Sequence, residues 1–247
     1  KHKKLFVTLI SLFVVLSVCV SSFFIYVSIY QHPTDNALTY MEDSTLSEVK
    51  EEKEYITFQP KINKAVNIID EGLIFYPGGK VDEKSYAPLL RSLSDLGITS
   101  ILVKMPFRLA VFNKNGADKK QSLFPKISNW FIGGHSLGGA MASDYLSSHS
   151  EDYLGLILLG SYSTKDLSSK TNLSSLSLLA ENDKVLNKEK YDSNKKNLPN
   201  LLEVTIQGGI HSYFGDYGIQ SGDGTPSITF EEQNKQIIAS IYTFMMA

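Results

Sequence analysis

Hydrophobic residues are distributed differently in the N-terminal part of the chain and in the remainder. Residues 5–30 are almost continuously apolar. As a helix at 1.5 Å per residue they would span about 39 Å, against about 30 Å of bilayer hydrocarbon. Lys1, Lys3 and Lys4 precede this stretch, and acidic residues follow it. The charge asymmetry predicts a cell-membrane anchor over residues 1–30, with a cytoplasmic N-terminus and the C-terminal domain extracytoplasmic.

Two alternatives to an anchor remain open for this segment. A cleaved signal peptide usually has an apolar region of about 7 to 15 residues that ends at small residues. Val20-Ser21-Ser22 matches such a cleavage site only in part, and cleavage there would give a secreted protein. Residues 16–19 resemble a bacterial lipoprotein cleavage box, but Val18 is large and the apolar run continues beyond Cys19.

Two kinds of pattern follow the apolar stretch. Residues 31–53 are polar and acidic without apolar periodicity, which predicts a stalk between membrane and domain. Residues 54–247 alternate short apolar runs with amphipathic segments, which predicts one α/β domain with a mainly parallel sheet and helices on both faces. Predicted strands are 55–59 (an edge strand), 72–76, 99–104, 130–133, 154–159, 176–180 and 201–207; predicted helices are 86–96, 117–124, 139–146 and 230–244.

Charge and cysteine content exclude several classes of protein. The chain has 24 basic and 26 acidic residues, so its overall charge does not favour nucleic acid as a partner. Cys19 is the one cysteine of the sequence, and this excludes an intramolecular disulfide or a cysteine-based zinc site. The domain must therefore be stabilised by packing.

The sequence Gly134-His135-Ser136-Leu137-Gly138 places a serine between an apolar run and a helix-like segment. Such a strand-to-helix turn is typical of a nucleophile elbow, in which the serine adopts strained backbone angles and flanking glycines avoid steric collision. The pentapeptide is weak evidence by itself. It nevertheless predicts Ser136 as a nucleophile at the carboxyl edge of the sheet, where α/β proteins bind ligands.

A nucleophilic serine needs a histidine base, and His211 is the candidate that remains by elimination. It follows the last predicted strand in a glycine-rich loop, which could bring the imidazole over Ser136. The other histidines lie in the basic N-terminus, at the membrane border, in the elbow itself and at the end of the elbow helix: His2, His32, His135 and His149.

The carboxylate that orients the base should lie between serine and histidine in chain order. Asp183 fits best, because it follows the predicted strand 176–180 within a turn that can face His211. Glu181 is the main rival. Three further carboxylates lie on helical or connecting positions and are predicted to be solvated surface charges: Asp144, Asp152 and Asp166.

Two backbone amides should stabilise the oxyanion of an acyl-transfer reaction. Leu137 supplies the first, as the residue after the nucleophile. The loop after strand 72–76 should supply the second, with Gly79 preferred and Lys80 as the other candidate.

These motifs together resemble the α/β-hydrolase superfamily, and within it the small bacterial esterase-like group described as dienelactone-hydrolase-like or α/β-hydrolase family 5. The resemblance covers residues 55–244 and implies an α/β-hydrolase fold with a triad of Ser136, Asp183 and His211. The segments that carry it are 75–82 (FYPGGKVD), 105–110 (MPFRLA), 134–139 (GHSLGG), 208–211 (GGIH) and 214–218 (FGDYG).

The sequence thus predicts a membrane-anchored serine hydrolase that acts on small-molecule esters, most simply a carboxylesterase. An acyltransferase, thioesterase or amidase would use the same triad, and a tethered binding protein could keep the fold without turnover. The connection 161–172 is too short for a lid. Residues 216–223, which include Gly218 and Gly222, should form the rim of the site as a solvated loop. Their two aspartates do not have the spacing of an EF-hand calcium loop. We predict no metal and no cofactor.

Overall fold

The computed structural model describes residues 2–61 and 69–247. Within them, eight strands form one sheet in the order β1-β2-β4-β3-β5-β6-β7-β8, in which β3 to β8 run parallel and β1 and β2 run antiparallel to their neighbours. The mainly parallel α/β prediction is confirmed. The strands are β1 (Ser47–Glu51), β2 (Tyr55–Pro60), β3 (Glu71–Tyr76), β4 (Thr99–Val103), β5 (Asn129–His135), β6 (Gly155–Leu159), β7 (Ser174–Ala180) and β8 (Leu201–Ile206).

Helices cover both faces of this sheet, because successive side chains of a strand point to opposite sides. In β3, Leu73 and Phe75 belong to one apolar core, and Ile74 and Tyr76 belong to the other. The first core contains residues of α3 and α6, and the second contains residues of α4. The α-helices are α1 (His2–Ser28), α2 (Asp35–Thr39), α3 (Ala87–Asp95), α4 (Leu137–His149), α5 (Lys188–Asn194) and α6 (Phe230–Met245).

The N-terminal helix α1 belongs to a unit of its own, and the domain unit begins at Gln31. Its segment Phe6–Ser28 is long and apolar enough to cross a membrane. A signal sequence meets the same criteria, so the anchor stays a prediction.

Residues 31–53 differ from the predicted stalk, because they fold as part of the domain. Strand β1 pairs with β2 and forms the sheet edge, a place that the sequence had assigned to residues 55–59. Gln31 also pairs with Val81, and Thr34 N donates to Asp216 O. Burial decreases along β1, from buried Ser47 to exposed Lys50 and Glu51, and Val49 is its one apolar residue, so the strand has little apolar periodicity.

The predicted helix over 117–124 is also corrected. The structure has turns there and a short 3₁₀ segment, Gln121–Leu123. Lys119 adopts φ 60°, a left-handed conformation that interrupts a right-handed helix, and Pro125 follows the segment.

Candidate active site

The serine of the elbow lies between the end of β5 and the first residue of α4. Ser136 has φ 52° and ψ −120°, a conformation that is strained for a residue with a side chain. Its N–H donates to Leu159 O at 3.0 Å, and its carbonyl accepts the Ser161 hydroxyl at 2.6 Å. Both bonds come from the end of β6 or the residues just beyond it, so the neighbouring strand holds the strained turn in place.

Glycines beside the elbow are required by close backbone approach. A Cβ atom on Gly138 would overlap the carbonyl oxygens of Tyr76 and Pro77. A Cβ atom on Gly134 would lie 2.6 Å from the carbonyl carbon of Gly138. These contacts give a physical reason for the G-x-S-x-G pattern, because side chains at either position would push the turn away from β3.

His211 and Asp183 are in direct contact. The distance from His211 Nδ1 to Asp183 Oδ2 is 2.7 Å, and the two side chains are 2% and 4% exposed. An ionised carboxylate only accepts hydrogen bonds, so Nδ1 carries the proton and Nε2 is the basic nitrogen. Asp183 Oδ1 accepts the amides of Val185 and Leu186, each at 2.8 Å. The carboxylate is therefore fixed through both of its oxygens.

Ser136 and His211 lie beside the same strand end. Gly160, the residue after β6, has φ 51°, and a Cβ atom placed on it would be 2.9 Å from His211 Nδ1. Ser136 and Gly160 line one cavity of about 260 Å³. Within residues 2–61 and 69–247, no hydrogen bond joins the Ser136 hydroxyl to His211. Catalytic hydrogen bonds are often loose in a free enzyme and tighten when substrate binds.

The segments that carry the two predicted oxyanion donors, Gly79 and Leu137, are in contact. A Cβ atom on Gly79 would be 2.9 Å from Leu137 Cδ2, so the loop after β3 packs against the start of α4. The Leu137 N–H is the first amide of its helix and has no carbonyl one turn earlier in that helix. In the described part of the chain, the Gly79 amide has no protein acceptor. The Lys80 amide instead donates to Arg108 O at 2.8 Å, which favours Gly79 over Lys80.

A buried tyrosine and histidine connect this loop to the elbow. Gly78 N donates to the Tyr86 hydroxyl at 2.9 Å, and that hydroxyl lies 2.8 Å from His135 Nδ1. A hydroxyl can donate one hydrogen bond and accept two, so Tyr86 Oη joins the Gly78 amide to the His135 ring in either neutral tautomer of the histidine. The ring centroids of His135 and His211 are 4.5 Å apart.

Burial controls the ionisation of both groups. It lowers the pKa of His135 well below its ordinary value, and the nearby His211 lowers it further. Burial also raises the pKa of the Tyr86 hydroxyl well above its ordinary value. The pair therefore stays neutral in the folded protein at neutral pH.

The neutral state of His135 predicts a loss of stability in mild acid. Below its ordinary pKa of about 6.5, His135 binds a proton in the unfolded chain but not in the folded one, so lower pH favours unfolding. Between about pH 7.5 and 5.5 we expect this residue alone to remove about 1 kcal/mol of unfolding free energy. Denaturant unfolding of the wild type and of His135→Gln measures the effect. Equal pH slopes in the two proteins would contradict it.

Tyr86→Phe is expected to impair both folding stability and activity. The change leaves the Gly78 amide and His135 Nδ1 buried without their partner, at about 1 to 3 kcal/mol for each unsatisfied group. The loop that carries Gly79, the predicted oxyanion donor, should become looser, and this should lower kcat about 10-fold. Loss of a whole oxyanion donor lowers kcat more, by about 10²–10³-fold. Urea unfolding and ester kinetics check this. Tyr153→Phe is the matched control and should retain kcat. Tyr153 is also buried, but it precedes the start of β6, at the end of the strand away from Ser136.

The structure also reveals residues around His211 that sequence reasoning missed. The side chain of Gln233 forms two hydrogen bonds of 2.9 Å with the backbone N–H and C=O of Ile210. Glu181, the rival acid, accepts the Gly208 amide at 2.8 Å. Gln233 is buried in α6, and in the sequence it is one polar residue in an amphipathic helix, without a local signal for this role.

The segment 216–223 is the predicted solvated rim only in part: residues 218, 219, 221 and 222 are exposed, whereas the two aspartates are not. Asp216 is buried and accepts a hydrogen bond from Asn36 Nδ2 at 2.7 Å. Asp223 accepts bonds from Ser212. These carboxylates are used in hydrogen bonds that link distant segments, which local sequence cannot reveal. Among the residues described, no group of three or more histidine, cysteine, aspartate or glutamate side chains is arranged to hold a metal ion.

Comparison with known proteins agrees with this fold and defines the family. The chain belongs to the alpha/beta hydrolase family, because the family model Abhydrolase_5 matches residues 72–235. No curated protein matches the sequence.

Solved structures share the fold at low sequence identity. An esterase from Pyrobaculum calidifontis has a TM-score of 0.58 and 15% identity, with 86% of this chain and 90% of that chain covered. Est1E from Butyrivibrio proteoclasticus, solved with ferulic acid, has a TM-score of 0.58 and 12% identity, covering 83% and 98%. Est2 from Thermogutta terrifontis, described as a thermophilic esterase, has a TM-score of 0.55 and 11% identity, covering 82% and 92%.

Proposed function

We propose that this protein is a serine carboxylesterase. The observation that carries the proposal is the bond from His211 to the doubly anchored Asp183, beside a serine in the strained conformation of an elbow. Membership of the family and the fold shared with solved esterases support it. A solvated surface aspartate and an unrelated serine would not explain this combination, whereas a triad does.

The mechanism follows from the positions of these groups. Ser136 Oγ attacks the ester carbonyl, and His211 Nε2 removes its proton. Asp183 holds the imidazole and stabilises the imidazolium. The imidazolium then protonates the departing alcohol, which leaves an acyl group on Ser136. Water, activated by the same nitrogen, attacks this acyl-enzyme and releases the carboxylic acid.

The amides of Gly79 and Leu137 bind the oxyanion in both steps. Each donor at such a position contributes about 2.7 to 4 kcal/mol to stabilisation of the transition state. The Leu137 amide also lies at the positive end of the dipole of α4, which adds to the stabilisation of negative charge. The anchoring of the Gly79 loop by Tyr86 keeps this pair of donors in place before substrate arrives.

The cavity beside Ser136 favours small neutral esters. Its volume of about 260 Å³ lies just below the range of about 300–1,000 Å³ that holds drug-sized ligands. A charged substrate group would find no opposite charge there, because the described lining consists of uncharged residues: Leu137, Ala140, Gly160, Ser161, Tyr162, Val185, Leu186 and Asn187. We therefore expect a short acyl chain.

We further propose that α1 anchors the domain on the extracytoplasmic side of a cell membrane. The support is the apolar length of Phe6–Ser28 and the lysines before it. Retention of the helix in the mature protein would support an anchor, and a mature N-terminus after residue 20 would contradict it. N-terminal sequencing of the membrane fraction distinguishes the two.

Hydrolysis of 4-nitrophenyl esters of increasing acyl length tests the proposed reaction. The full chain in detergent should release nitrophenol from acetate or butyrate esters faster than from long-chain esters. A matched series of amide and thioester substrates separates an esterase from an amidase or thioesterase. A folded protein without turnover of any of these would contradict the proposal and favour a binding protein on the same fold.

A further inference from the structure

The segment after His211 folds back against the two loops that carry Asp183 and His211. Gly224 approaches Asn182 so closely that a Cβ atom on it would overlap the Asn182 carbonyl oxygen. Ser227 N donates to Gly208 O at 2.9 Å. Gly224 thus contacts the loop that carries Asp183, and Ser227 contacts the loop that carries His211.

The carboxylate of Asp223 bridges these two loops. Its Oδ2 accepts the backbone N–H of Ser212 at 2.7 Å and the hydroxyl of Ser212 at 2.6 Å. Its Oδ1 accepts the N–H of Lys184 at 3.3 Å and that of Gly224 at 2.7 Å. Ser212 directly follows His211, and Lys184 directly follows Asp183. The side chain of Asp223 therefore binds the residue that follows each member of the pair.

A second tie lies on the other side of the pair. Asn182 N donates to Gly209 O at 2.9 Å. One tie alone would leave the two loops free to hinge about it, whereas ties on both sides fix the distance and the orientation of the imidazole relative to the carboxylate. The Asp223 bridge and the bond from Asn182 to Gly209 are these two ties.

Asp223 is ionised in this arrangement. Burial raises its pKa, but the hydrogen bonds from Ser212 and from the amides of Gly224 and Lys184 lower it more, and the net shift is downward. The bonds from Ser212 and Gly224, at 2.6 to 2.7 Å, have the short length of charge-assisted hydrogen bonds, whereas the bond from Lys184 at 3.3 Å is longer and weaker.

We propose that Asp223 is a positioning residue of the active site, which holds His211 and Asp183 at hydrogen-bonding distance by bridging Ser212 and Lys184. This role rests on the proposed triad. Asp223 does not contact the reacting atoms of the triad. It acts through Ser212 and Lys184, the residues that follow His211 and Asp183.

The test compares Asp223→Asn with the wild type. The amide has one acceptor oxygen where the carboxylate has two, so it cannot hold both loops. A displacement of the imidazole by about 1 Å can cost about 100-fold in rate. We expect kcat for a short nitrophenyl ester to fall about 10- to 100-fold, with KM within about threefold of the wild-type value because the cavity lining is unchanged.

A second measurement reports the His211–Asp183 bond without turnover. The Nδ1 proton in such a bond gives a far-downfield proton NMR resonance, which is assigned by its absence in His211→Gln. We expect this resonance to disappear or to move upfield in Asp223→Asn. If wild type hydrolyses no ester, the proposed function fails, but the resonance still tests the positioning role.

Asp166→Asn is the matched control. Asp166 Oδ1 accepts the N–H and the hydroxyl of Ser168 at 2.9 and 2.6 Å, the same pair of bonds, but within one exposed connection. It should leave kcat and the resonance unchanged. If Asp223→Asn does not fold, Ser212→Ala, which retains the backbone bond, should still lower kcat about threefold and shift the resonance. A folded Asp223→Asn, or in its absence Ser212→Ala, with wild-type kcat and resonance would overturn the proposal.

Discussion

Ser136→Ala is expected to abolish ester hydrolysis while the protein remains folded. Alanine cannot attack the carbonyl, and loss of the nucleophile of a triad lowers kcat by about 10⁶-fold. The residual rate should still exceed that of the uncatalysed reaction in water by about 10³–10⁴-fold, because substrate binding and the oxyanion donors remain. Steady-state kinetics with a short nitrophenyl ester, beside a thermal unfolding curve of the same preparation, measures both properties.

Ser147→Ala is the control for this substitution. Ser147 lies on α4, and its hydroxyl donates to the carbonyl of Asp144, so its loss should change kcat little. Substantial activity in folded Ser136→Ala would exclude Ser136 as the nucleophile. Such a result would leave the fold intact but require a different chemistry for the site.

Asp183→Asn is expected to have the second largest effect, a fall in kcat of about 10⁴-fold. An asparagine amide can donate to His211 Nδ1 and so favours the tautomer whose Nε2 carries the proton, which cannot accept the serine proton. The bonds from Val185 and Leu186 to the remaining oxygen should keep the turn folded. Kinetics together with unfolding by urea separate loss of chemistry from loss of structure.

Glu181→Gln distinguishes the two acids. Glu181 accepts the Gly208 amide, and a glutamine oxygen can do the same, so a change in kcat of less than about 10-fold is expected. If Glu181→Gln were the more damaging change, the assignment of the acid would be reversed.

The sequence predicted the parts of the fold and site whose signals are local. The buried strand before Ser136 and the small residues after it define the elbow within about ten positions, and chain order then limits the base and acid to a few candidates. The structure joins His211 to Asp183 directly, whereas the contact between Ser136 and His211 stays a prediction. The mainly parallel sheet is confirmed, since alternation of strands and helices is a repeated pattern along the chain.

Features that depend on distant contacts could not be predicted in this way. Strand β1 has five residues, of which only Val49 is apolar, so its pattern resembles that of a polar linker. Asp223 and Gln233 hold the loop of His211 from positions 12 and 22 residues later in the chain, and neither lies in a recognisable motif. Tyr86 reaches the elbow from the start of α3. Each role becomes visible only when the fold has brought the segments together.

The most direct test of the central claim is covalent labelling with a fluorophosphonate, followed by mass spectrometry of the labelled peptide. Such probes react with a serine that a neighbouring base activates, which is the property that distinguishes a triad from an ordinary hydroxyl. We predict stoichiometric label on Ser136 in the full chain and a large loss of labelling rate in His211→Gln. A folded wild-type protein that stays unlabelled, or that carries the label on another residue, would contradict the account.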